Sequence, residues 1–298
     1  MGVFSVLIYG IIFGLRCQKP STLASASSVP SLAPGTRPKT VFATLLTPHL
    51  EDKMTAKQHQ QQPDTMATVR SVFHGLCAAF FGYTLFYDVR RGGTAPIPGV
   101  FLSRLVWLTT VDLYLQILYH SVATIASLQN RTSLLNRVVD FLFTSLAMPI
   151  ALTVVSLFWG LTLINPDLLM DEEAKIVLSV QWYNHALHTI PGVAMLMDVY
   201  ITKHKRPNHY AAFATIVVVS TCYLAFILYI HSVTGYWAYP ILGDLGLAGR
   251  TAFIAGCALV IFSLFLLSDM LNGKTWVEKV LRSSQMPAAL KNRKPKKA

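Results

Sequence analysis

The chain has 298 residues, 53% hydrophobic and only 13% charged, with a net charge of +11 and a mean hydropathy of +0.48. A soluble domain carries roughly a quarter charged residues, so this composition excludes an ordinary water-soluble globule. Cys17, Cys77, Cys222 and Cys257 form no Cys-x-x-Cys pair and no zinc spacing, which argues against a disulfide framework or a zinc module.

In chain order, residues 1–15 (MGVFSVLIYGIIFGL) are apolar with no charged segment before them. The stretch is short for a span. It fits an uncleaved anchor, a signal sequence, or translation from a start upstream of the true one. It fails the myristoylation pattern because Val6 stands where Ser or Thr is required. From Lys19 to Ala67 the chain is rich in Ser, Pro, Thr and Gln, a composition that cannot bury enough apolar surface to order itself. Residues 1–69 are therefore expected to be an apolar segment followed by a disordered linker.

Residues 70–273 carry six apolar windows, about Ser71–Asp88, Leu102–Ser127, Val139–Ile164, Ile176–Tyr200, Tyr210–His231 and Thr251–Met270. A span needs about 20 mostly apolar residues to cross ~30 Å of hydrocarbon. Backbone in lipid must satisfy its own hydrogen bonds, which leaves helices or a closed barrel. The windows show no period-2 alternation, so the expected fold is all-α, a polytopic bundle of six transmembrane helices. No internal repeat and no helix broken by paired Gly and Pro is expected.

Residues 274–298 hold eight basic residues and one acid, Glu278. With no nucleic-acid-binding motif and a position just past a span, this reads as a solvated juxtamembrane tail near anionic lipid, not a nucleic-acid site. Arg131 and Arg137 follow the second window, and Lys203, Lys205 and Arg206 follow the fourth. Asp167, Asp171, Glu172 and Glu173 follow the third. The basic bias puts the tail and even-numbered loops in the cytosol. The first loop dissents, with Arg90, Arg91 and Arg104. Asn130-Arg131-Thr132 is a glycosylation sequon that this orientation leaves unmodified. Lys294 and Lys296 stand five and three places from the end, as in a cytosolic dilysine retrieval signal, although a lysine-rich tail produces such a match by chance about as often. The expected address is an endomembrane, the endoplasmic reticulum first and the plasma membrane as the alternative.

Ionisable groups inside spans are costly and default to functional candidates. Thr109, Asp112 and Gln116 fall at i, i+3 and i+7 on one face of the second window. Hydrogen bonding between helices is the bland account of Thr109 and Gln116; Asp112 needs a partner or a proton. The fourth window holds Asn184, His185, His188 and Thr189, with the two histidines at i, i+3. A structural role and a catalytic role are both open for that pair. His231-Ser-Val-Thr-Gly-Tyr-Trp-Ala-Tyr-Pro240 reads as an interfacial aromatic belt with a shaped turn. His74 and His120 look isolated and are assigned nothing. In the inferred orientation Thr109 lies about 7 residues into its window, roughly 10 Å, and His188 about 12, roughly 18 Å. The two can meet in the non-cytosolic half of the bilayer, where a neutral His can take the proton of a Thr hydroxyl.

Four stretches together carry a family resemblance: Leu108-Thr-Thr-Val-Asp-Leu113 with Gln116; Asn184-His-x-x-His188-Thr189; His231-x-Val-Thr-Gly-x-Trp-x-Tyr-Pro240; and Leu271-Asn-Gly-x-x-Trp276. Over about Tyr83–Trp276 the chain resembles the androgen-induced protein and androgen-dependent TFPI-regulating protein family. That resemblance implies a six-span hydrolase of fatty acid esters of hydroxy fatty acids, with a Thr nucleophile on Thr109 and a His base on His188. Thr110 adjoins the nucleophile and leaves a register choice of one residue. Asp112, Asn184 and His185 are supporting candidates. No metal or cofactor is called for, and the partner implied is a branched fatty acid ester in the membrane. Two other classes stay open: a metal or haem protein through His185 and His188, and a non-enzymatic lipid-binding or transport protein lined by Asp112, Asp198 and the histidines.

Overall fold

The computed structural model describes residues 65–91, 95–206 and 208–285. The apolar stretch 1–15, residues 19–64 of the Lys19–Ala67 segment expected to be disordered, Cys17 and the Lys294–Lys297 signal lie outside the described residues; residues 65–67, the end of that segment, are instead the start of the first helix. Within them the chain is helical, with no strand.

The long elements are α1 (Thr65–Arg91), α2 (Leu108–Ser127), α3 (Leu134–Leu142), α4 (Met148–Ile164), α8 (His209–Thr234) and α10 (Leu247–Gln285). Between α4 and α8 lie α5 (Glu172–Leu178), α6 (Gln181–His188) and α7 (Ile190–Ile201), and α9 (Pro240–Asp244) precedes α10. A 3-10 turn, Phe101–Val106, leads into α2, and a π turn, Phe143–Ala147, joins α3 to α4 in one continuous rod.

The expected six continuous spans need correction. Among the described residues four helices are long and apolar enough to cross a membrane: Met66–Arg91, Leu134–Ile164, His209–Thr234 and Leu247–Gly273. The second window forms a 20-residue helix, long enough at roughly 30 Å, but Asp112, Gln116 and His120 make it too polar to pass as a span by composition. The fourth window is broken into α5, α6 and α7. The break between α6 and α7 falls at Thr189 (φ −131°, ψ −52°), just before Pro191-Gly192. Pro191 has no N–H to give and is suited to the first turn of a new helix. Gly192 permits a close approach: a Cβ there would stand 2.9 Å from Val155 Cγ2 of α4. A helix broken at paired Pro and Gly was not expected from the sequence, and it is present.

Among the described residues the chain nevertheless crosses the bundle six times. Ser71 Oγ, early in α1, donates to Thr124 O, late in α2, while Asp88 at the other end of α1 meets Arg104 just before α2. The two helices are therefore antiparallel. His188 of α6 sits beside Thr109 at one end of the bundle, and Asp198 of α7 beside Tyr119 at the other. α2 and the broken α6–α7 path thus run between the same two ends of the bundle. The α3–α4 rod is central, with 78% of its most apolar window buried, against 17–28% for the other three apolar helices. Those helices turn Leu76, Phe213, Leu228, Leu259 and Leu266 outward, where lipid replaces water as solvent. Small side chains at buried positions (Ala123, Ala126, Ala147, Ala151) let the helices approach closely, the main source of association inside a bilayer.

The helix ends are closed locally. Ser133 caps α3 by accepting from Asn136 N–H (3.2 Å), and Asn208 caps α8 by accepting from Tyr210 and Ala211 N–H. Gly235 ends α8 at φ +71°, a left-handed C-cap that costs a glycine nothing. This accounts for the glycine of the Val-Thr-Gly motif.

Candidate active site

At one end of the bundle the first, third and fifth connections converge over a cavity of about 450 Å³. Its wall includes Pro96 and Pro98 from the first, Leu169 and Met170 from the third, and Tyr236, Ala238, Tyr239 and Pro240 from the fifth. Thr109, Thr110 and His188 line its floor.

Thr109 stands in the first turn of α2. Trp107 supplies no side-chain cap to that helix; the N–H of Leu108 donates instead to Tyr239 Oη at 2.9 Å. Tyr239 Oη lies 3.3 Å from Tyr223 Oη, which donates to Val106 O at 2.7 Å. The Tyr239 expected in an interfacial belt therefore fixes the start of the helix that carries Thr109. His188 ends α6 and is buried, its ring stacked on Phe158 at 3.4 Å between centroids and 5° between planes. Trp159 Nε1 donates to His188 O (3.0 Å) and Thr189 Oγ1 (3.1 Å), tying the chain break to α4.

Thr109 Oγ1 and His188 Nε2 face each other at 3.4 Å. On the far side of the ring, His188 Nδ1 lies 2.8 Å from Asn184 Oδ1 and 3.1 Å from Asn184 O. Both oxygens are acceptors, so the proton belongs on Nδ1 and Nε2 is left with its lone pair toward the threonine hydroxyl. A hydroxyl, an imidazole and an amide oxygen thus follow one another in the order of a hydrolase triad. The separation of 3.4 Å is at the loose end, as is common before a substrate closes the site.

The remaining candidates separate. Asn184 orients His188. His185 does not reach it: its ring is on the exposed face, stacked on Trp159, with Nδ1 3.0 Å from Thr189 Oγ1. Asp112 is fully buried one turn along α2, outside the cavity wall, and accepts from Gln116 Nε2 at 2.8 Å. Gln116 also donates to Ala147 O, a carbonyl of the π turn. This pair serves helix packing. Thr110 lines the cavity beside Thr109, but the His188 contact goes to Thr109.

Sequence reasoning missed two features. Arg104, counted as a loop charge, is buried in the cavity wall with Nη2 2.7 Å from Asp88 Oδ1, which also accepts from Tyr183 Oη at 2.5 Å. His74 and His120, taken as isolated, meet at 3.0 Å through their Nδ1 atoms at the opposite end of the bundle. There Asp198 accepts from Tyr119 Oη and lies 3.6 Å from His74 Nε2 and 3.4 Å from His204 Nε2. His204 Nδ1 donates to Asp140 (3.1 Å), which Arg131 also reaches. Among the described residues no group of three or more His, Cys, Asp or Glu has a geometry that could hold a metal ion.

The human androgen-dependent TFPI-regulating protein is 29% identical over 217 residues, 70% of this chain and 94% of its own length. The human androgen-induced gene 1 protein is 24% identical over 183 residues, 57% of this chain and 76% of its own. The androgen-dependent TFPI-regulating protein of Mesocricetus auratus is 25% identical over 180 residues, 58% and 78%. No solved structure matches the chain. The family model described as FAR-17a/AIG1-like protein matches residues 69–273, and the chain is therefore an integral membrane protein that belongs to the FAR-17a/AIG1-like family.

Proposed function

We propose that this protein is an intramembrane hydrolase of fatty acid esters of hydroxy fatty acids, with Thr109 as nucleophile and His188 as general base. The observation that carries the reading is the Thr109 Oγ1–His188 Nε2 pair at 3.4 Å, backed by Asn184 and open to a largely apolar cavity. His188 Nε2 takes the hydroxyl proton as Thr109 Oγ1 attacks the ester carbonyl. The tetrahedral intermediate collapses to an acyl-threonine, and the hydroxy fatty acid leaves with the proton from His188. Water, deprotonated by the same nitrogen, attacks the acyl-threonine; the fatty acid departs and Thr109 recovers its proton. The start of α2 contributes its helix dipole where the oxyanion develops. Apolar walls hold the acyl chains and exclude bulk water, so neutral Thr and His suit the site at rest. The compartment proposed is the endoplasmic reticulum, with the cavity on its lumenal side.

Hydrolysis of such an ester by microsomes carrying wild type, Thr109→Ala, Thr110→Ala or His188→Ala tests this. Thr109→Ala and His188→Ala are each expected to lose at least ~10²-fold in kcat and to lose labelling by a fluorophosphonate probe. Thr110→Ala is expected to keep both. Full turnover in both the Thr109 and the His188 variants would remove the mechanism, and no turnover above background by wild type would favour a lipid-binding protein.

A further inference from the structure

We infer that Arg104 is the carboxylate-binding residue of this cavity and confines the enzyme to lipid esters that carry a free acid; this rests on the hydrolase reading of Thr109 and His188. Among the described residues that line the cavity, Arg104 is the one permanent cation. Its residue exposure is 8%, and the structure gives its side chain one hydrogen bond, from Nη2 to Asp88 Oδ1. Nε is buried without a partner. A guanidinium presents five N–H donors in a planar fork matched to a carboxylate, and most of that fork is unused.

The setting is that of a binding group more than a packing one. A buried ion pair seldom repays its desolvation by attraction alone, and this one borders an open cavity instead of a filled core. Asp88 is itself held by Tyr183 Oη at 2.5 Å. The guanidinium also lies about 6 Å from the rings of Phe101 and Trp107, so its position is fixed from three sides. Asp171 and Glu173 also line the cavity, but on the α5 side, where Asp171 is committed to capping Ala174 N–H at 2.8 Å. Asp88 lines the cavity too, so an incoming carboxylate is repelled by the α5 side and binds through the Arg104 donors that Asp88 leaves free.

Position along the chain supplies the spacing. Arg104 is five residues before Thr109, in the 3-10 turn Phe101–Val106, which the extended Trp107 (φ −87°, ψ 123°) separates from α2, and both residues line the cavity. An acid anchored at Arg104 would reach Thr109 through several methylenes, which is the geometry of an ester on a mid-chain hydroxyl. An ester next to the carboxylate would be held short of the nucleophile. A neutral lipid ester has no group for Arg104 and leaves the fork unpaired.

The test uses full-length protein and one substrate in two forms, a mid-chain fatty acid ester of a hydroxy fatty acid as its free acid and as its carboxyl-terminal methyl ester. Release of the esterified acyl chain is the readout. Wild type is expected to favour the free acid by ~10-fold or more in kcat/KM, chiefly through KM. In Arg104→Gln that acid-to-methyl-ester ratio is expected to collapse toward one, and Arg104→Lys to keep part of it. The ratio is internal to each preparation, so loss of folded protein does not imitate the effect. A wild-type ratio near one overturns the inference while leaving the Thr109–His188 reading intact, and so does a ratio that survives in Arg104→Gln. If Arg104→Gln does not fold, the wild-type ratio alone decides. If wild type hydrolyses neither form, the hydrolase reading fails and the inference falls with it.

Discussion

Asn184 is placed to fix both the tautomer and the angle of His188, since its side-chain and main-chain oxygens both lie within hydrogen-bond reach of Nδ1. Asn184→Ala leaves only the carbonyl, which does not restrain ring rotation to the same degree. The expected loss is ~10- to 100-fold in kcat with KM nearly unchanged, because a proton-transfer arrangement made in the transition state is disturbed and substrate contacts are not. Asn184→Asp keeps an acceptor at the same place and is expected to retain most activity; steady-state kinetics on the three forms decides it. Some of this site was legible in the sequence. Asn184, His185 and His188 share one helical turn, and their polarity in an apolar window marked them. What could not be read was which of the three would be turned outward. His185 leaves the site because α6 ends at His188, so the exposed face of a short helix carries it to Trp159. Arg104 was misread as a topogenic loop charge because the carboxylate that neutralises it, Asp88, lies 16 residues earlier in another helix. Once Arg104 is placed in the cavity wall, the first loop keeps Arg90 and Arg91 as its basic residues, so its dissent from the charge rule is weaker.

Periodicity and window length located the helices but not their continuity. The Ile176–Tyr200 window is apolar enough to pass as one helix, and only the Pro191-Gly192 pair betrays the break. The break is functional in geometry: it ends α6 at His188 and lets Trp159 hold the freed carbonyl there. Gly192 sits where α7 crosses α4, with room for hydrogen and little more. Gly192→Ala places a methyl 2.9 Å from Val155 Cγ2, so a backbone shift or a displaced valine must follow. Overpacking of this kind costs about 1–3 kcal/mol, and a lower thermal midpoint in detergent is expected. Val155→Ala vacates the same space, so the double variant should recover much of the loss. Additive losses in that cycle would show that the contact is not the cause. The capping of α2 by Tyr239 belongs to the same scale. The tyrosine was visible as part of the His231–Pro240 motif, but its partner, Leu108 N–H, is 131 residues away and no local pattern links them.

The molecule has two polar ends separated by apolar packing. One is the cavity, open among the odd-numbered connections. The other is the closed group of His74, His120, Tyr119, Asp198, His204 and Asp140, all buried, which joins α1, α2, α3, α7 and the segment after α7. The closed group was not recognisable as a unit in the sequence, since its members come from windows that each look like an independent span, whereas the meeting of Thr109 and His188 was. Their placement gives orientation a functional meaning. The basic connections after the second and fourth crossings lie at the closed end, where Arg131 pairs with Asp140 and Arg206 with Asp269. Acidic Asp167 and Glu172 lie at the cavity end, both paired with Lys175. If positive residues stay in the cytosol, the closed end faces the cytosol and the Thr109–His188 cavity faces the opposite side of the membrane. A single cysteine replacing Glu172, whose side chain is 86% exposed, should react with a membrane-impermeant maleimide only after the lumenal side is opened. A cysteine replacing Lys205 should react as soon as the plasma membrane alone is permeabilised. Asn130 is exposed next to Arg131 at the closed end and should carry no glycan despite its sequon. A glycan there, or the reverse labelling order, would invert the molecule and open the Thr109–His188 cavity to the cytosol.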